Sequence, residues 1–117
     1  MKEAEVTRFL ATEVMGWEIT SDKTPEGISY TTGYDIDGKG TYYKTGFTPT
    51  TDMNQAMECV VEYYRDRDDD FELHYTGSGN WMVIMEEFEN YWVISDKSAP
   101  LAICKAILKA KGISFDR

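Results

Sequence analysis

Apolar residues recur at helical spacing in three stretches, near the start, the middle and the end of the chain. In each stretch they follow intervals of three and four residues, which place them on one face of a helix. They are Val6, Phe9, Leu10 and Val14 in the first stretch, Met53, Ala56, Met57, Val60, Val61 and Tyr64 in the second, and Ile103, Cys104, Ile107 and Leu108 in the third. The pattern predicts one helix over residues 2–15 and a second that ends near Arg65 or Asp66. It predicts a third helix with Pro100 in its first turn, where the missing amide costs nothing, that ends at Gly112.

Strand-like runs fill the two intervals between these helices. The runs are Trp17–Thr20, 28–36 and 41–47 in the first interval, and Phe71–Tyr75, Trp81–Glu86 and Tyr91–Ser95 in the second. Asp37-Gly38 between two runs is a strong hairpin signal, and Pro25 indicates a loop over residues 22–27. The sequence predicts an α+β fold in the order α-βββ-α-βββ-α, with an antiparallel sheet of about five or six strands packed with three helices as an α/β/α sandwich. We expect residues 1–117 to form a single domain.

The charge is strongly negative and unevenly distributed. The net charge is −9, and residues 58–72 alone hold seven acidic and two basic residues. Such a field repels nucleic acid and anionic lipid, so we expect no direct nucleic-acid binding and no membrane association. It attracts a protein with a basic surface.

The acidic segment supplies the first set of candidate binding residues: Glu58, Glu62, Asp66, Asp68, Asp69 and Asp70. Several of them would form one acidic ridge if the second helix persisted through the segment. A solubilising surface is the alternative. The spacing Asp66-x-Asp68-x-Asp70 resembles the start of a calcium loop, but Phe71 stands where that loop needs glycine, so only a weak, adventitious cation site stays open.

Aromatic residues form the second set of candidates: Tyr42, Tyr43, Tyr91 and Trp92. Neighbours along a strand point to opposite faces of a sheet. If helices cover both faces, these residues belong to the core, which is the leading interpretation. If one face is open, they form an aromatic surface suited to a protein or a base-like ligand.

The sequence contains little that could carry catalysis. His74 is the single histidine, and the predicted strand places it opposite in facing to its apolar neighbours. Cys59 and Cys104 fall on apolar helix faces, where buried reduced thiols are expected, with a disulfide or a reactive thiol as alternatives. No catalytic motif and no complete metal-ligand motif is present, so we expect no enzyme activity, no resident metal and no cofactor.

Several local motifs resemble a known family. They are Val14-Met15-Gly16-Trp17, Phe47-x-Pro49-x-Thr51-Asp52-Met53-Asn54-Gln55-Ala56-Met57-Glu58, Trp81 within its strand, and Ala99-Pro100-Leu101-Ala102-Ile103-Cys104-x-Ala106-x-Leu108-x-Ala110. Together they are similar to the phage ABA sandwich domain proteins over roughly residues 4–114. The resemblance implies an antiparallel sheet flanked by helices and expression in the bacterial host cytoplasm. The resemblance implies no catalytic residues for this chain, because the motif residues are apolar, capping or turn residues.

We therefore expect a small phage or prophage accessory protein that binds a host or phage protein with a basic surface, such as a component of a host defence system. A homodimer stays open. One alternative is sequestration of a small signalling nucleotide by Lys39, Lys44 and Tyr43, and another is a virion or morphogenesis component.

Overall fold

Three helices and six strands follow one another in the predicted order in the computed structural model, which describes residues 1–25, 27–34, 41–67, 69–87, 90–113 and 115. The helices are α1 (Glu3–Phe9), α2 (Met53–Tyr63) and α3 (Ala99–Ala110). The strands are β1 (Glu18–Thr24), β2 (Gly27–Tyr34), β3 (Thr41–Lys44), β4 (Phe71–Tyr75), β5 (Trp81–Glu87) and β6 (Asn90–Asp96). The predicted fold class and the number of strands are confirmed.

The first helix widens towards its end. After α1 the chain continues as a π-helical segment, Leu10–Val14, in which the Met15 amide donates to the Leu10 carbonyl at 2.9 Å. The Thr12 hydroxyl donates to the Arg8 carbonyl at 3.0 Å, and a side-chain bond of this kind competes with the regular helical ladder. Gly16 adopts a φ of 74°, a left-handed conformation that ends the helix.

Side-chain caps fix the start of the other two helices. The Asp52 carboxylate accepts from the Gln55 amide at 3.0 Å at the start of α2, and the Ser98 hydroxyl accepts from the Leu101 amide at 3.3 Å at the start of α3. Each cap satisfies one of the amides that a helix start leaves without a partner. Gly112, with a φ of 80°, follows α3 as predicted.

The six strands form two antiparallel sheets of three, in the orders β1-β2-β3 and β4-β5-β6. In the first sheet Tyr30 pairs with Ile19 on one side and Lys44 on the other. The predicted loop over residues 22–27 is wrong in part, because β1 runs on to Thr24, which pairs with Gly27. The predicted Asp37-Gly38 turn lies outside the described residues, although β2 and β3 on either side of it do pair.

The helices connect the two sheets. The main contacts run from β1 to the π-helical segment, from there to α2, from α2 to α3, and from α3 to β5 and β6. The predicted stripe of α3 (Ile103, Cys104, Ile107 and Leu108) is fully buried. Trp17, Tyr30 and Phe47 close the core on the side of the first sheet, with ring centroids 4.8–6.2 Å apart.

Both cysteines lie in the interface of α2 and α3 as free, buried thiols. Burial, and secondarily the charge of Glu58, raises the pKa of Cys59 to about 12. Burial likewise raises the pKa of Cys104. The thiols therefore stay protonated at neutral pH, as structural rather than reactive groups.

Candidate protein-binding surface

The second sheet has two faces of different character. Its strands pair in continuous register, so alternate side chains point to opposite faces. The inner face packs on α3 and contains the fully buried Val83 and Met85. That face also contains Phe71, Leu73, Trp92 and Ile94, which pack against the core as partly buried residues.

The opposite face, which we call the open face, is apolar and accessible along β5 and β6. Tyr91 and Val93 are 68% and 43% exposed, and Met82 and Ile84 are half-buried. Ile84 lies opposite Val93 in the ladder, so the apolar side chains of the two strands are neighbours. Contiguous exposed apolar residues on a folded domain are typical of a binding surface.

Carboxylates border this apolar strip. Glu72 lies opposite Ile84, and Glu86 lies opposite Tyr91. The Glu86 amide donates to the Asp70 carbonyl at 3.1 Å, which extends the register by one residue and places Asp70 on the same face. His74 is on this face as well, with its Nε2 3.2 Å from Oε1 of Glu72. The open face thus combines an apolar centre with a negative border.

The predicted acidic residues do not form one ridge. Glu58 and Glu62 lie on α2, where with Met57 they line a shallow groove of about 390 Å³. Asp66 is exposed in the turn after the helix, and Asp69 is partly buried. Of the predicted set, Asp70 lies on the open face, and Asp68 lies outside the described residues.

The acidic residues do not continue along one helix face because α2 ends at Tyr63, before the predicted end near Arg65 or Asp66. The Arg67 guanidinium lies 4.5 Å from the centroid of the Tyr63 ring, and its Nε donates to the Tyr63 carbonyl at 3.1 Å. A cation at the last carbonyls stabilises a helix end, whereas the aspartates that follow would be unfavourable there. The chain therefore leaves the helix before the acidic run begins.

The four aromatic candidates occupy different surfaces. Tyr42 and Tyr43 are 57% and 61% exposed on β3, and Tyr91 is exposed on the open face, so their predicted place in the core is wrong. β3 is an edge strand, which leaves both of its faces less covered than those of a central strand. Trp92 is half-buried and lines a cleft of about 410 Å³ beside Lys105 and Phe115.

Sequence reasoning missed most of the open face, namely Glu72, Met82, Ile84, Glu86 and Val93. The signal was the unbroken apolar run from Trp81 to Met85. Within a strand, such a run makes both faces apolar, and strands of that kind are normally buried on both sides. Here one face packs on α3 and the other is exposed, so the run marks a surface as well as a core.

The described residues also bear on a metal site, on the predicted nucleotide site and on a membrane-spanning helix. Among the described residues, no group of three or more histidine, cysteine, aspartate or glutamate side chains is arranged to hold a metal ion. Lys44 and Tyr43 of the proposed nucleotide site lie on β3, and Lys39 is outside the described ranges. No helix in the described part of the chain has the length and apolar character needed to span a bilayer.

The architecture defines a class: a small α+β domain in which three helices connect two three-stranded antiparallel sheets. The sequence profile of the phage ABA sandwich domain matches residues 8–108, so the chain belongs to that family and is a small protein of phage origin. A crystal structure of a phage protein from Bacillus cereus ATCC 14579 superposes with a TM-score of 0.71 over 99% of this chain and 93% of that one. The two sequences are 19% identical, so this likeness concerns the fold alone. No protein with a curated description matches the chain.

Proposed function

We propose that this phage protein acts by non-catalytic binding of a protein with a basic surface, and that the open face is its contact surface. The observation that carries the proposal is the exposed apolar strip of Tyr91, Val93, Met82 and Ile84 on one sheet face. An apolar centre with a polar border is the usual arrangement of a protein interface.

The chemistry of the partner follows from the border of the open face. Asp70, Glu72 and Glu86 place three carboxylates around the strip, in a chain with a net charge of −9. A partner with lysine or arginine around an apolar centre is attracted to this face, and the attraction increases the association rate. A second copy of the same face would oppose carboxylate to carboxylate, which disfavours a homodimer formed through it.

We further propose that the partner is a host protein of a defence system, in the host cytoplasm. The support is the phage family and the acidity of the surface, since many proteins that act on nucleic acid have a basic surface that such a face would occupy. Efficiency of plating tests whether the partner belongs to a defence system. The chain should restore plating of a restricted phage on one strain in a panel of strains that each carry one defence system.

The binding itself is tested by capture of host proteins on the tagged chain, with affinity measured for the captured protein. The variant Asp70→Asn/Glu72→Gln/Glu86→Gln removes the charges of the border while it preserves side-chain shape. We expect its affinity to fall by about tenfold or more, and to depend less on salt.

The matched control is Glu3→Gln/Glu13→Gln/Glu18→Gln, which changes the net charge equally at three exposed positions away from the open face. We expect this control to bind almost as well as the natural chain. Equal losses in both variants would show that only net charge matters, and no loss in either would exclude the carboxylate border from the contact.

A further inference from the structure

A small cleft separates the first turns of α1 from the first sheet. Its volume is about 210 Å³, and its lining includes Ala4 and Thr7 of α1, Ile28 and Tyr30 of β2, and Phe47 and Thr48 after β3. The walls are therefore mainly apolar, with hydroxyl groups among them. This combination is typical of a site that holds and orients a small molecule.

Tyr30 is the unusual residue in this lining. It is 1% exposed, and its hydroxyl has no hydrogen-bond partner, which holds for no other buried side-chain polar atom among the described residues. Buried polar groups in folded proteins nearly always have a partner, so an unpaired hydroxyl on a residue that lines a cleft points to a group that enters the cleft.

Arg8 provides a positive charge close to this hydroxyl. Burial raises the pKa of Tyr30, and the charge of Arg8 acts in the opposite direction. Tyr30 therefore stays protonated at neutral pH and is available as a donor. Arg8 lines a second cleft of about 540 Å³ that adjoins the first, because Ala4 and Ile28 line both. Met1 and Glu5 also line the second cleft, and the Met1 ammonium group donates to the Phe115 carbonyl at 2.8 Å.

We propose that this cleft binds a small organic anion, a carboxylate or phosphate group on a compact apolar body. The anionic oxygen accepts a hydrogen bond from the Tyr30 hydroxyl and is attracted by Arg8. The apolar body lies against Ile28 and Phe47. The site belongs to the first sheet, so it is independent of the open face on the second sheet and of the protein partner proposed for it.

The test is a titration of the ¹⁵N-labelled protein with benzoate and with phenyl phosphate, followed by NMR. We expect both anions to shift the amide signals of Gly27, Ile28 and Thr48. Benzylamine, a cation of similar shape, and inorganic phosphate, which lacks the apolar body, should bind at least several-fold more weakly. Equal binding of benzylamine would overturn the preference for anions. Equal binding of inorganic phosphate would overturn the claim that the ligand needs an apolar body.

Two variants test the named residues. Tyr30→Phe removes only the unpaired hydroxyl and should weaken anion binding about tenfold, whereas Tyr75→Phe removes an exposed hydroxyl on the other sheet and should not. Arg8→Gln should weaken binding several-fold, and Arg65→Gln, a loss of the same charge on another surface, should not. The proposal is overturned if neither anion binds the natural chain, or if Tyr30→Phe and Arg8→Gln bind as tightly as it does.

Discussion

At the scale of single residues, Arg67 has a larger structural role than its place in a charged segment suggests. Its guanidinium contacts both the ring and the carbonyl of Tyr63, and so closes the end of α2. Arg65, two positions earlier, instead forms an exposed ion pair with Glu62 at 2.5 Å. Two arginines of the same segment therefore differ in what they stabilise.

This difference gives a prediction for stability. Arg67→Ala should lower the free energy of unfolding by about 1–2 kcal/mol, because it removes a cation–π contact and a hydrogen bond to a helix end. Arg65→Ala should lower it by about 0.5 kcal/mol or less, as is usual for exposed ion pairs. Urea unfolding of both variants measures the difference, and equal losses would show that Arg67 does not close the helix.

At the scale of elements, Asp96 joins the end of β6 to the start of α3. Its carboxylate accepts from the Ser98 amide at 2.9 Å and from the Lys105 ammonium at 2.7 Å. Burial raises the pKa of Asp96, but hydrogen bonds from Lys105 and from the Ser98 and Lys97 amides outweigh it, so the pKa is lowered from 3.8. These bonds fix the position of α3 on the inner face of the second sheet.

The lowered pKa predicts how this junction responds to pH. A carboxyl group whose pKa is lower in the folded state contributes its full stability above the unfolded pKa, and loses it as the pH falls through the folded pKa. Asp96→Asn should therefore lower the free energy of unfolding by about 1–2 kcal/mol at neutral pH. The difference from the natural chain should shrink as the pH falls below 3.8, the ordinary pKa of the carboxyl group. Urea unfolding at several pH values measures it, and a difference that does not change with pH would contradict this role of the charge.

The elements also show what the sequence could predict. Helical spacing predicted the three helices, because that signal is local. The end of α2 was placed too late because the contact of Arg67 with Tyr63 forms only when the chain turns back. The open face was missed because alternation shows which side chains share a face, while it does not show which face a helix covers. Asp70 was selected for its charge and Tyr91 for its aromatic ring, whereas the other residues of the open face were not selected.

At the scale of the whole molecule, the helices separate two sheets that carry different surfaces. The main contacts run in series from the first sheet through the helices to the second, and the longest dimension of the molecule is 48 Å. The open face belongs to the second sheet, whereas the cleft beside Tyr30 and the exposed Tyr42 and Tyr43 belong to the first. A partner bound on the open face therefore contacts one sheet and leaves the other accessible.

Hydroxyl-radical footprinting of the chain, alone and in complex with the host protein that it captures, tests the binding surface most directly. Tyr91 is 68% exposed on the open face, while Tyr42 and Tyr43 are 57% and 61% exposed on the other sheet. The three tyrosines should therefore be oxidised to similar extents in the free chain. In the complex we expect oxidation of Tyr91 to fall several-fold and oxidation of Tyr42 and Tyr43 to stay unchanged. Protection of Tyr42 and Tyr43, with Tyr91 oxidised as in the free chain, would contradict the assignment of the open face as the contact surface.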